Sequence, residues 1–188
     1  QKNKCVLGFF GSGSIGIQKG HKELGPILEA IVTDGKLASM FHVVTQGNIK
    51  TGDYEKYKKH LSLFESAPHQ SVHAHMNLVD AGINVFQDPP EYAPAVIAGK
   101  TYDYIYAGIP IFGVTDPAAT SLIDIIQKWG GVHANVWDVS DIQRALHEFL
   151  NEFNKNQSLQ HLIKNQNTEA FSRVAMYQNI LPLLDELV

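Results

Sequence analysis

The sequence predicts an α/β fold in which a parallel sheet of about six strands is covered by helices on both faces. Short apolar runs rich in β-branched and aromatic residues alternate with segments whose apolar residues recur at helical spacing. Glycine and proline clusters separate these runs, as expected for successive βαβ units. The six predicted strands cover residues 6–10, 41–45, 61–64, 83–86, 111–114 and 132–137.

The segments between these strands predict the helices. An apolar stripe begins at Leu24, and further helices are expected over residues 53–59, 72–79 and 100–107. Asp116 is expected to cap the next helix, since Pro117 suits a first helical turn. The apolar stripe of that helix and the glycines that end it are Leu122, Ile125, Ile126, Trp129, Gly130 and Gly131.

The last part of the chain predicts two more helices. Ser140 and Gln143 form a possible capping box before a helix with a wide apolar face. That face comprises Ile142, Ala145, Leu146, Phe149, Leu150 and Phe153. A final helical segment, kinked at Pro182, is expected from about residue 168.

Composition narrows the class of protein. A chain of 188 residues that is 44% hydrophobic and 18% charged can bury the core of one domain, which we place at residues 1–188. With a net charge of −4 the chain has no surplus of basic residues. This argues against a protein whose main partner is nucleic acid or an anionic membrane. Cys5 is the single cysteine, and no signal peptide or membrane span is evident. We therefore expect a cytoplasmic protein with at most peripheral contact at the inner face of the membrane.

The glycine-rich stretch after the first strand, residues 11–16, has the spacing of a dinucleotide fingerprint. That fingerprint also needs a glycine that opens the helix and an acidic residue after the next strand. Here the helical pattern begins only after Lys19-Gly20, and the second strand ends in Gln46-Gly47-Asn48. Dinucleotide binding and a purely structural turn stay open, but the pattern favours a diphosphate loop of another kind.

Three segments resemble one family. Residues 11–30 combine the glycine loop and Lys19-Gly20 with a following apolar helix, and residues 68–71 with 79–85 combine a histidine-containing turn with a strand. Residues 99–111 run from a glycine-lysine pair through an acidic residue between tyrosines to a glycine, any residue, proline turn. In order and spacing, over most of the chain, these segments resemble the carboxyl-terminal domain of group-1 glycosyltransferases of the GT-B fold.

This resemblance implies a Rossmann-like domain, one of two that face each other, which binds the nucleotide-sugar donor. It further implies a retaining, metal-independent and cofactor-free sugar transfer, in bacterial surface polysaccharide or glycoconjugate synthesis. The amino-terminal domain, which binds a sugar or lipid-linked acceptor, is expected to precede Gln1, so this chain alone is expected to be inactive. The alternatives are an NAD-type domain of an oxidoreductase and a non-catalytic nucleotide-binding module.

The resemblance also implies site residues. Lys19 and Asp103 take catalytic roles, with Lys19 placed against the diphosphate and Asp103 accepting hydrogen bonds from ribose hydroxyls. Many members of the family carry two glutamates around this helix. In this sequence Asp103 stands at the position of the second glutamate and Ala95 at the position of the first. The residues expected to contact the nucleoside diphosphate are Gly11, Ser12, Gly13, Lys19, His69, Gly99, Lys100, Thr101 and Asp103.

A histidine pair and the two tryptophans are further candidates for function. His69 and His73 are four residues apart, but they lack a neighbouring carboxylate or thiolate, so no metal site is predicted. Trp129 and Trp137 adjoin the ends of a helix and a strand, and we predict that they belong to the core rather than to a sugar platform.

Overall fold

The computed structural model, which describes residues 4–15, 24–50, 54–87, 93–164 and 168, contains eight strands in these ranges. Six of them are the predicted ones, and two are two-residue strands that pair with each other. In chain order the strands are β1 Cys5–Phe10, β2 Gly13–Ser14, β3 Phe41–Gln46, β4 Ile49–Lys50, β5 Leu61–Phe64, β6 Ala81–Phe86, β7 Ile111–Thr115 and β8 Val132–Asn135.

Seven α-helices connect these strands within the same ranges. They are α1 Gly25–Val32, α2 Gly35–Met40, α3 Tyr54–Tyr57, α4 His69–Met76, α5 Gly99–Tyr106, α6 Thr120–Trp129 and α7 Val139–Asn156. None of the helices in the described ranges combines the length and hydropathy that crossing a bilayer requires.

The main sheet has the strand order β5-β3-β1-β6-β7-β8, and every neighbouring pair is parallel. This is the doubly wound order, in which the direction of winding reverses between β1 and β6. The α/β Rossmann-like fold predicted from the sequence is confirmed. In such sheets ligands bind beyond the carboxyl ends of the strands at the reversal, so the site is to be sought after β1 and β6.

Two apolar clusters cover the two faces of the sheet. The helices α1, α2 and α7 pack on one face, and α4, α5 and α6 pack on the other. The predicted apolar face of α7 is fully buried in the first cluster. This burial anchors the longest helix of the described chain on the sheet.

Two predicted helix caps are wrong. Helix α6 begins at Thr120, and the Asp116 carboxylate instead accepts a hydrogen bond from the Ala118 N–H in a turn before the helix (2.8 Å). Helix α7 is capped by Asp138, whose Oδ1 accepts from the N–H groups of Ser140 and Asp141 at 2.9 and 3.2 Å. Strand β8 ends at Asn135, two residues before the predicted end, and Asp138 rather than Ser140 is the residue that precedes the first helical turn.

Other boundaries differ in smaller ways. Gln143, predicted to complete a capping box, donates from its side chain to the Ala30 carbonyl and the Thr33 hydroxyl on the neighbouring helix. The polar helix predicted over 53–59 is the single turn α3, and α2 was not predicted. The helical segment predicted from about residue 168, with its kink at Pro182, lies outside the described residues apart from Thr168.

The unpredicted helix α2 is capped by Asp34, which also ties it to α7. Its Oδ1 accepts from the N–H groups of Lys36 and Leu37 at 2.9 and 3.0 Å, and its Oδ2 lies 2.8 Å from His147 Nε2. These hydrogen bonds, that from the Leu37 backbone above all, lower the pKa of the Asp34 carboxyl. The ionised carboxylate therefore stabilises the folded state.

We expect Asp34→Ala to lower the free energy of unfolding by about 1 kcal/mol near neutral pH, as the loss of an N-cap does. Because the pKa of Asp34 is lower in the folded chain, its contribution is complete above about pH 4 and is lost as the pH falls through the folded value. Urea unfolding at neutral and acid pH measures both effects. Asp124→Ala, which removes an exposed ion pair with Lys128, is the control and should change little. If the loss of unfolding free energy in Asp34→Ala stays constant down to the lowest pH, the assignment of Asp34 as an ionised cap is contradicted.

Candidate functional site

A crevice of about 280 Å³ opens at the carboxyl edge of the sheet, close to the smallest volume usual for small-molecule sites. The loops after β1, β3 and β5 form its walls together with α4 and α5. Its lining residues are Phe10, Gly11, Ser12, Gln46, Gly47, Asn48, Ser66, Ala67, Val72, Met76 and Asp103.

The loops after β1 and β3 are joined by backbone hydrogen bonds. The N–H groups of Gly11 and Gly13 donate to the carbonyls of Gln46 and Asn48 at 2.9 and 3.1 Å. Gly47 has φ 139°, and a Cβ there would collide with the Gly11 carbonyl, so only glycine permits this approach. These two amides of the glycine-rich loop therefore bind the neighbouring loop, whereas in a dinucleotide fold they would face a pyrophosphate.

The end of β3 is neutral. Gln46 is 6% exposed, and its Oε1 lies 2.9 Å from His75 Nδ1 on α4. A dinucleotide site places a carboxylate here for the ribose. The observed residue is an amide that is already paired with a histidine.

Tyr104 fixes α5 to the point where the sheet reverses. Its hydroxyl donates to the Ile83 carbonyl at 2.9 Å and lies 3.4 Å from the Phe10 N–H, which donates to it. Its ring packs directly on Gly82, where a Cβ would lie 2.6 Å from ring carbons. Burial raises the pKa of Tyr104, so the hydroxyl stays protonated and keeps donating. Helix α5 is thereby held against β1 and β6.

A second buried contact holds the first turn of α5. The Asn84 side-chain N–H donates to the Thr101 hydroxyl at 2.7 Å, and both residues are 0% exposed. Thr101, predicted as a ligand contact, therefore has its hydroxyl bonded to β6. This hydrogen bond ties the first turn of α5 to β6.

Lys100 extends from the first turn of α5 across the reversal point to the glycine-rich loop. Its Nζ lies 3.5 Å from the centroid of the Phe9 ring, in a cation–π contact. A Cβ at Gly11 would lie 3.6 Å from the same Nζ. The ammonium is thus buried between the Phe9 ring and Gly11, a residue that lines the crevice.

The amino terminus of α5 adds to this positive charge. Its N-cap is Ala98, and no side chain of the described residues caps its first amides. Gly99, the first helical residue, is exposed. Uncapped helix amides and a lysine in one place favour an anionic ligand, because both present hydrogen-bond donors and positive potential.

The predicted site residues divide into three groups. Gly11, Ser12 and Asp103 line the crevice, and Gly99 and Lys100 lie at its helix terminus. Gly13 and Thr101 are near it but are paired with other parts of the chain. Lys19 and the side chains of His69 and Ala95 lie outside the described residues.

Sequence reasoning missed several residues around the crevice. Gln46, Asn48 and Ser66 line it, and each follows closely on the end of a strand, which was the available signal. Asn84 and Tyr104 were missed as positioning residues. A polar residue within an apolar strand, as Asn84 is, indicates a buried partner.

The two tryptophans differ in their exposure to solvent. Trp129 is 1% exposed and belongs to the core as predicted, whereas Trp137 is 66% exposed, so its prediction as a core residue is wrong. His73 contacts the Tyr106 ring edge-on at 5.6 Å between centroids. No group of three or more His, Cys, Asp or Glu side chains that could hold a metal ion occurs within the described ranges.

No protein-family model matches the sequence, and no curated protein matches it significantly. Solved structures do match its fold. HepE from Anabaena, in complex with UDP, has a TM-score of 0.65 at 11% identity, over 98% of this chain and 49% of HepE. The pneumococcal O-GlcNAc transferase GtfA, in complex with UDP and GlcNAc, has a TM-score of 0.56 at 10% identity, over 95% of this chain and 35% of GtfA. The trehalose 6-phosphate synthase of Burkholderia multivorans has a TM-score of 0.55 at 10% identity, over 99% of this chain and 44% of the enzyme.

The chain therefore spans about half the length, or less, of the proteins it matches in structure. Its fold is that of one Rossmann-like domain of the GT-B glycosyltransferases, as the resemblance in sequence predicted. At these identities the likeness concerns the fold, so the chemistry has to be argued from the crevice itself.

Proposed function

We propose that this chain is the donor-binding half of a glycosyltransferase and holds a nucleoside diphosphate sugar in the crevice beside α5. The observation that carries the proposal is the position of Lys100, which extends from an uncapped helix terminus across the sheet reversal to Gly11. The structural relatives HepE and GtfA, both crystallised with UDP, support the choice of ligand.

In this proposal Lys100 and the first amides of α5 bind the diphosphate. A charge-assisted hydrogen bond from the ammonium would strengthen as negative charge builds on the departing nucleoside diphosphate, which stabilises the leaving group. Lys19, which follows the glycine-rich stretch in the sequence, is proposed to contribute a second ammonium. Ser12, exposed at the rim of the crevice, offers a hydroxyl to the same phosphates.

Asp103 binds the ribose. It lies one helical turn after Gly99 and lines the crevice opposite the loops after β1 and β3. A carboxylate can accept hydrogen bonds from two neighbouring hydroxyls, which is the arrangement that a ribose presents. His69, at the start of α4, is proposed to lie near the base.

The complete protein, on this proposal, pairs the chain with an amino-terminal domain that binds a sugar or lipid-linked acceptor. The transfer retains anomeric configuration, needs no metal or further cofactor, and serves bacterial surface polysaccharide or glycoconjugate synthesis at the inner face of the membrane. The chain alone binds the donor without completing transfer, because the acceptor half is separate.

Calorimetric titration of the chain with UDP, GDP and NAD, each with and without magnesium, tests the proposal. We expect one of the two diphosphates to bind more tightly than NAD, with no requirement for magnesium. Tighter binding of NAD would favour the oxidoreductase alternative, which the pairing of the Gly11 and Gly13 amides disfavours. Strict dependence on magnesium would also contradict the proposal.

We expect Asp103→Ala to weaken UDP binding and to leave the binding of free pyrophosphate almost unchanged. The variant loses hydrogen bonds to a charged acceptor, worth about 1.5–3 kcal/mol, or about 10- to 150-fold in Kd. Titrations with both ligands measure the difference, and Asp124→Ala on α6 is the matched control. Equal losses for UDP and pyrophosphate would place Asp103 away from the ribose.

A further inference from the structure

An exposed tryptophan stands at the carboxyl edge of the sheet, beyond β8. Trp137 is 66% exposed, yet it is held at both ends. Its backbone N–H donates to Asn135 Oδ1 at 3.0 Å, and its indole Nε1–H donates to Asp116 Oδ2 at 2.7 Å. These two hydrogen bonds therefore hold the exposed indole ring of Trp137 in one orientation.

Asp116, which accepts the hydrogen bond from the indole, is itself fixed by two further hydrogen bonds. Its backbone N–H donates to the Phe86 carbonyl at the end of β6 (3.0 Å), and its Oδ1 accepts from the Ala118 N–H (2.8 Å). A carboxylate offers about four acceptor positions. Two of them are used by Ala118 and Trp137 among the described residues, so the others remain able to accept from a ligand.

These contacts decide what chemistry the ring can offer. Because its N–H already donates to Asp116, the indole presents only its apolar face and edge. A purely apolar ligand placed there would displace water from the Asp116 carboxylate. The hydrogen bonds from that water would not be replaced, which is costly. An anionic ligand would meet the negative charges of Asp116 and of the exposed Asp138.

A neutral saccharide ring satisfies both requirements, since a pyranose carries an apolar C–H face and a rim of hydroxyl donors. We propose that Trp137 and Asp116 form a saccharide-binding platform, in which a sugar stacks on the indole and donates hydroxyl hydrogen bonds to the carboxylate. The platform lies on the same edge of the sheet as the crevice, and β8 is two strands, about 10 Å, from β6. Saccharide binding at this platform does not depend on the proposed function.

Quenching of tryptophan fluorescence by iodide tests the platform directly. Trp129 is buried, so iodide quenches the exposed Trp137 selectively. The probes are the methyl glycosides of glucose, galactose, mannose and N-acetylglucosamine, titrated into the unmodified chain. We expect at least one of them to protect Trp137 from iodide in a saturable manner. If none protects it, the proposal is overturned.

Variants then locate the binding by saturation-transfer NMR with the glycoside that protects. We expect Trp137→Ala to weaken binding by about two- to tenfold, the range for one aromatic contact, and Trp137→Phe to retain most of it. Tyr106→Ala, which removes a similarly exposed aromatic side chain from the far end of α5, is the matched control. Unchanged binding in Trp137→Ala overturns the proposal.

A UDP titration of the same samples separates this platform from the donor crevice. Trp137→Ala should bind UDP as the parent chain does, because the indole lies outside the crevice lining. A chain that binds the glycoside but not UDP would overturn the proposed function and support the platform. A loss of UDP binding in Trp137→Ala would overturn the platform as a separate site.

Discussion

Lys100→Met is expected to weaken UDP binding by about 10- to 150-fold, the range for losing a charge-assisted hydrogen bond. Methionine keeps an apolar stem against the Phe9 ring, so the change removes the ammonium with little loss of packing. The effect should be larger for UDP than for UMP and almost nil for uridine, because in the proposed function Lys100 binds the diphosphate. Calorimetric titration with the three ligands measures this series.

The matched control for this prediction is Lys128→Met. Lys128 is 66% exposed and pairs with Asp124 on α6, outside the crevice, so its loss should leave all three affinities unchanged. The UDP affinity of the parent chain should also fall with salt less steeply than that of an exposed contact, because the Lys100 Nζ is buried. A Lys100→Met chain that binds UDP like the parent would remove the observation on which the proposed function depends.

Gly82→Ala is expected to lower the free energy of unfolding by about 1–3 kcal/mol, the usual cost of overpacking a core. The added Cβ would lie 2.6 Å from the Tyr104 ring, which cannot move away without breaking its hydroxyl contact with the Ile83 carbonyl. Since Tyr104 holds α5, the fraction that still folds should also bind UDP more weakly. Urea unfolding and calorimetry measure the two effects.

Two comparisons show whether this cost is steric. Gly35→Ala, where a Cβ meets nothing within 4 Å, should be neutral or slightly stabilising because it lies in the first turn of α2. Combining Gly82→Ala with Tyr104→Ala should cost less than the sum of the two single changes, because the clash disappears with the ring. Strict additivity would contradict the packing explanation.

The main strands and helices of this fold were predictable because their signals are local. The short apolar runs that became β1, β3 and β5 and the apolar stripe of α7 depend only on the spacing of nearby residues. The motif from Gly99 to Asp103 was also visible, and the structure places it in the first turns of α5, with Asp103 in the crevice lining. Helix starts were less predictable, because Asp138 and Ser140 are both favourable N-cap residues, and which of them precedes the first helical turn depends on where β8 ends.

The sequence by itself therefore determined the α/β class, the sheet of six parallel strands and the helix that carries Lys100 and Asp103. Only the tertiary structure decided which polar groups remain for a ligand. The Gly11 amide is used by Gln46, the Thr101 hydroxyl by Asn84, and the Trp137 indole by Asp116, 21 residues away along the chain. Such partners come from different strands and loops, so the spacing of residues along the sequence does not indicate them. Hydrophobic periodicity depends only on neighbouring residues and can therefore be recognised without the fold.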